Sequence, residues 1–102
     1  MNTQSVKTII HFSIKNDEAR SALVDLLKEM DYVFPHQENE NSVMTSNENH
    51  SGKTLIAINN FCKIAKPKFI KDDKITVYSA EEANTDINHK VYEYNIILRL
   101  FT

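Results

Sequence analysis

An α+β fold, one antiparallel sheet with helices packed on a single face, is predicted by three observations. The stretches "KTIIHFSI" and "KITVYS" alternate apolar and polar residues, the period of a half-buried strand. Between them, "NDEARSALVDLLKEM" and "NENHSGKTLIAINNFCKIA" carry apolar residues at helical spacing. At 102 residues the chain has room for one domain, residues 1–102, with its core over about 7–80.

The first strand is predicted over Lys7 to Ile14. Thr8, Ile10, Phe12 and Ile14 share its core side; Lys7, Ile9, His11 and Ser13 share the other. Asn16 then caps a helix, because its side-chain oxygen can accept from a free first-turn N–H. Asp17 and Glu18 suit the positive end of that helix, and Ala19, Ala22, Leu23, Leu26, Leu27 and Met30 form its stripe. Asp31 to His36 reads as a short strand, with Pro35 near its end or at an edge because proline donates nothing to a ladder. "QENENS" is a polar hairpin loop in which asparagine replaces the usual glycine, and Ser42 to Ser46 returns as a strand. A second helix follows, capped by Asn49 or Ser51, with Leu55, Ile58, Phe61, Cys62 and Ala65 as its stripe and Pro67 as its stop. "KFIKDD" is a charged connection to the strand Lys74 to Ser79, whose Ile75 and Val77 point inward. After the polar loop "AEEANTDINH", residues 90–101 read as one long final strand. The order is that of a ferredoxin-like βαββαβ sheet with two helices on one face, plus an extra C-terminal strand.

That last strand is surplus once four strands are paired. Tyr92, Tyr94, Ile96, Leu98 and Leu100 would line one side of an apolar ribbon, and an unprotected apolar edge invites pairing with another chain. Dimerisation through these five residues is therefore expected, the other reading being that the strand completes its own sheet.

A net charge of −2 gives no global field toward nucleic acid or acidic lipid, so such binding needs a local patch. No run approaches the ~18 apolar residues of a membrane span, and "MNTQSVKTII" lacks the basic flank and apolar stretch of a signal peptide. The single cysteine, Cys62, cannot form an internal disulfide and reads as a reduced core residue, which suits a cytoplasmic protein.

The tetrapeptide Ser51-Gly52-Lys53-Thr54 ends like a phosphate-binding loop, but the glycine such a loop needs five positions before Gly52 is Asn47. It reads as a helix start. The histidines His11, His36, His50 and His89 show no metal-ligand spacing, and neither metal nor cofactor is expected. His11 projects from a central strand to the side away from the helices, where it is the one candidate for proton transfer. The adjacent pairs Asp72–Asp73 and Glu81–Glu82 read as solvated loop charges. Lys63, Lys66, Lys68, Lys71 and Lys74 cluster around the end of the second helix; as a patch they could meet a phosphate backbone.

The layout resembles a family of small ferredoxin-like proteins that includes the small subunit of the CRISPR adaptation complex and the GhoS-type antitoxin endoribonucleases. The resemblance is carried by "TIIHFSI" running into a helix, by "LLKEMDYV", "NENSVMTS" and "DKITVYSAEE", and by the extra C-terminal strand, over roughly residues 7–82. It implies a symmetric dimer with a role in defence, toxin–antitoxin or nucleic-acid biology. The metal-binding Asp that the CRISPR members carry at the end of the first strand is absent: Ser13 stands near that position. The arginines of an RNA-cleaving member are missing from the second-helix region. The expected function is thus a non-catalytic binding module. The alternatives are a weak ribonuclease using His11, or a small regulator acting by protein contact alone.

Overall fold

The computed structural model describes residues 6–36, 39–46, 48–81 and 88–101, apart from the side chains of residues 6, 7, 48, 49, 80, 81, 88 and 89. The elements are β1 (Val6–Ser13), α1 (Asp17–Lys28), β2 (Val33–Pro35), β3 (Ser42–Thr45), α2 (Glu48–Ile64), a 3₁₀ turn (Lys66–Lys68), β4 (Lys74–Glu81), β5 (Asn88–Asn95) and α3 (Ile96–Phe101). The five strands make one sheet in the order β2-β3-β1-β4-β5, with every neighbouring pair antiparallel.

Register sorts the sheet into two faces, because residues directly opposite each other point the same way. Ile10 lies opposite Val43 and Val77, Phe12 opposite Ile75, and Ile75 opposite Tyr94. All are buried and belong to one cluster with Leu23, Leu27, Ile58 and Cys62 from the helices. Each such side chain contributes about 1.5–3 kcal/mol by leaving water. The alternation expected for β1 therefore holds, and the helices share one face.

Helix α1 starts where its cap predicts: Asn16 Oδ1 accepts from the Ala19 N–H at 2.9 Å. Its buried stripe is Ala19, Leu23, Val24 and Leu27, whereas Ala22 and Leu26 face solvent. The next connection carries Tyr32 at a left-handed φ of 67°, a conformation normally left to glycine, and its ring stacks on His50 at 3.8 Å. Helix α2 begins at Glu48, so Asn49 and Ser51 lie inside its first turn rather than capping it. Gly52-Lys53-Thr54 is helical too; Thr54 is buried and donates to the His50 carbonyl at 2.8 Å, which leaves no phosphate loop there.

Two further sequence expectations are corrected. The final strand does not run to Phe101. β5 begins at Asn88 and stops at Asn95, whose Oδ1 accepts from the Leu98 N–H at 3.0 Å and so caps α3. The Ile96 N–H is held by the Asp73 carbonyl at 3.0 Å, and α3 folds back against α2. Ile96 is fully buried, Tyr94 nearly so, and Tyr92 and Leu100 pack against the same core; of the five residues assigned to a dimer, only Leu98 is exposed. The tail is consumed by its own protomer. Asp73, in turn, is no solvated loop charge: it is 2% exposed. Its carboxylate accepts from the backbone N–H groups of Lys15 at 3.0 Å and Ile70 at 2.9 Å, which ties the 69–73 connection to the start of α1.

Candidate functional site: the uncovered face of the sheet

The face of the sheet away from the helices is organised in rows across the strands. Phe34 on β2 lies opposite Met44 on β3, Met44 opposite Ile9 on β1, and Ile9 opposite Tyr78 on β4. Four strands thus present an unbroken apolar row. Among the described residues no helix covers it, and Phe34 is 48% exposed. Ile9 is only 7% exposed, although it alternates with the core-facing Ile10 and stands outside the core cluster.

Next to this row runs a polar one. His11 lies opposite Ser42 on one side and Thr76 on the other, and Thr76 lies opposite Glu93. His11 Nδ1 and Ser42 Oγ share a hydrogen bond of 2.9 Å, and the Thr76 hydroxyl donates to Glu93 at 2.9 Å. That bond, followed by the charges of Lys74 and Lys90, holds the Glu93 carboxyl below the usual range. The two lysines sit 3.6 and 3.9 Å from it. Lys90 reaches Glu93 because of a bulge: Val77 pairs with Tyr92 but Tyr78 with Lys90, so Val91 is an extra residue. The bulge moves Lys90 onto the same face as Glu93, where strict alternation would have separated them.

His36, just after β2, faces the same region. Its charge, second to burial, lowers the pKa of His11. Its own Nδ1 is buried without a hydrogen-bond partner among the described residues. A cavity of about 390 Å³ opens beside His11, lined also by Ser13, Lys15, Arg20 and Asp72. Arg20 there is already committed, donating to the Ile14 carbonyl at 2.7 Å and to Asp17 at 2.6 Å.

The lysines do not form one patch. Lys74 lies on the uncovered face against Glu93, while Lys63 is on α2, which covers the opposite face. Lys68 is ion-paired with Glu18, the ammonium of Lys66 sits 4.7 Å above the Phe101 ring, and Lys71 is exposed in the loop before β4. His50 is stacked on Tyr32 and bonded to Ser46 at 3.0 Å; the His89 side chain lies outside the described residues. No group of three or more metal-ligating side chains occurs among the described residues. No helix in them is long and apolar enough to cross a membrane.

Sequence reasoning found His11 and its direction. It missed the row and the approach of His36, because both depend on the register of β2 against β3. The signal was present: Phe34, Met44 and Ile9 are the outward positions of three short strands, and aligning those strands would have lined them up. Against models of known families, curated proteins and solved structures, the chain has no match.

Proposed function

We propose that this chain is a non-catalytic binding module of ferredoxin-like fold that works by protein contact through the uncovered face of its sheet. The fold reading is supported by the placement of β3 between β1 and β2, and of β1 between β3 and β4, the two split βαβ units of that architecture. The function is carried by one observation, the Phe34–Met44–Ile9–Tyr78 row. A contiguous apolar band on a face otherwise built of paired polar groups marks an interaction surface. The toxin–antitoxin, defence or nucleic-acid-related setting is supported by the resemblance in layout. Contact with protein is favoured over contact with nucleic acid because the lysines are dispersed and three of them already have partners. Hydroxyl-radical footprinting of the dilute chain in an extract of its own cells tests the reading. Phe34, Met44 and Tyr78 are expected to be protected relative to the same chain in buffer, and Ile64 is not. Equal oxidation in both would contradict it.

A second reading, a weak ribonuclease, is favoured by the neighbouring His11 and His36. Histidine is the commonest general base, and burial, followed by the charge of His36, lowers the pKa of His11 and so favours its proton-accepting form. RNA cleavage abolished by His11→Ala would support this reading over the first.

A further inference from the structure

We infer that the cavity at the end of β1 is a binding site for a small zwitterion, an α-amino acid with an aliphatic side chain. Its carboxylate would meet Lys15 and Ser13, and its ammonium Asp72. The site stands apart from the Phe34–Met44–Ile9–Tyr78 row, and the reading of that row does not depend on it.

The cavity, of about 390 Å³, lies where the end of β1 meets Asn41 of the β2–β3 connection, Arg20 of α1 and the loop before β4. Small-molecule sites run from roughly 300 to 1,000 Å³, so this one holds a small ligand. Its walls are fixed in advance. The Asp73 carboxylate accepts from the N–H of Lys15 at 3.0 Å and of Ile70 at 2.9 Å. Arg20 donates to the Ile14 carbonyl at 2.7 Å, and the Phe12 N–H donates to the Asn41 carbonyl at 2.8 Å. Each segment around the cavity is thereby tied to another, and little conformational freedom is left to lose on binding.

Charge selects the ligand. Lys15 and Arg20 in the lining balance Asp72 and Asp73. Two of these four are already committed: Asp73 to its two backbone N–H groups, and Arg20 to the Ile14 carbonyl and Asp17. Lys15 and Asp72 are not. They carry opposite charges and line the same cavity, yet among the described residues neither enters an ion pair. An anion in the cavity would face two carboxylates, and a cation two basic groups. A zwitterion meets both uncommitted charges at once, and charge-assisted hydrogen bonds are the strong ones.

The rest of the lining fits the same class. The Ser13 hydroxyl is exposed beside Lys15, and His11 has Nδ1 on Ser42 with Nε2 left over. Phe12 and Ile14 are buried, whereas Ile70 is 44% exposed, the one exposed large apolar side chain of the lining. It gives an aliphatic side chain a surface to lie on.

An amide NMR titration of the full chain with L-leucine and L-methionine tests the inference. The amide signals of Ser13, Lys15, Ile70 and Asp72 are expected to shift saturably, and that of Ile64 is not. Isoamylamine lacks the carboxylate of leucine and isocaproate lacks its ammonium; each should bind about tenfold more weakly than L-leucine, or worse. Lys15→Glu and Asp72→Lys should each weaken L-leucine by a similar factor, while Ile64→Glu on α2 should not. Both site side chains are exposed, so their variants should fold, and circular dichroism melts check that they do. No saturable shift with either amino acid at millimolar concentration overturns the inference. So does isocaproate binding as tightly as L-leucine, the mark of a plain anion site. So does an affinity that neither variant changes. None of these outcomes alters the protection of Phe34 and Met44 in cell extract, which tests the sheet face separately.

Discussion

The carboxylate of Asp73 accepts a hydrogen bond from the backbone N–H of Lys15, 58 positions earlier in the chain. The same side chain holds the Ile70 N–H, and its backbone carbonyl holds Ile96 at the first turn of α3. One buried residue therefore fixes the entry to α1, the entry to β4 and the point where the tail turns back. Asp73→Ala would strand two N–H groups out of contact with their acceptor. A loss of about 2–4 kcal/mol is expected in urea unfolding. Asp73→Asn, which keeps one oxygen, should lose less. A change within experimental error for the alanine variant would show that the carboxylate is not a structural anchor.

Ile96 and Leu98 differ by two positions and should differ sharply in consequence. Ile96 is fully buried, and Ile96→Ala is expected to cost about 2–4 kcal/mol through the cavity it leaves. Leu98 is 65% exposed, so Leu98→Asp should change stability by no more than about 0.5 kcal/mol and leave the sedimentation mass of the chain as it was. A lower sedimentation mass produced by Leu98→Asp would place an interface at the tail.

His11 makes stability depend on pH. Burial, aided by the nearby His36, lowers its pKa in the folded chain below the ordinary 6.5. The unfolded chain then binds more protons in the window between the lowered value and 6.5, so stability rises with pH there. The contribution is complete above 6.5 and is lost as pH falls through the folded pKa. Urea midpoints at pH 7.5 and 5.5 should differ in that direction. In His11→Asn, whose amide can still reach Ser42, the difference should shrink; an undiminished difference would assign the dependence to another group.

Cys62 is fully buried on the core side of α2. Its thiol is pushed up to about 12, first by burial and then by the charge of Asp73. The reactive thiolate is thus scarce and screened. Iodoacetamide at pH 8 should label the native chain far more slowly than the urea-unfolded one. Equal rates would place Cys62 at the surface.

Much of the architecture was legible because local signals agreed with one another. Asn16 caps α1, the alternation of β1 sets both of its faces, and Pro67 lies beyond the end of α2. The tail was misread for a physical reason. "IILRLF" fits an alternating ribbon, but Ile96, Ile97, Leu100 and Phe101 fit one face of a helix equally well. The deciding mark was Asn95, a capping residue where a strand reading saw only a polar position. Asp73 was hidden by its neighbour Asp72, since adjacency says nothing about which of two carboxylates turns inward. The candidate site was legible only in part. The outward direction of His11 follows from period two, whereas the Phe34–Met44–Ile9–Tyr78 row exists only once three registers are fixed.

Site-specific photo-crosslinking tests the role of the uncovered face most directly. A benzophenone amino acid replaces Phe34 in one preparation and Ile64 in another, and each full chain is irradiated in an extract of its own cells. The expected result is a covalent protein adduct from position 34 and none from position 64. Product from position 64 with none from position 34 would contradict it.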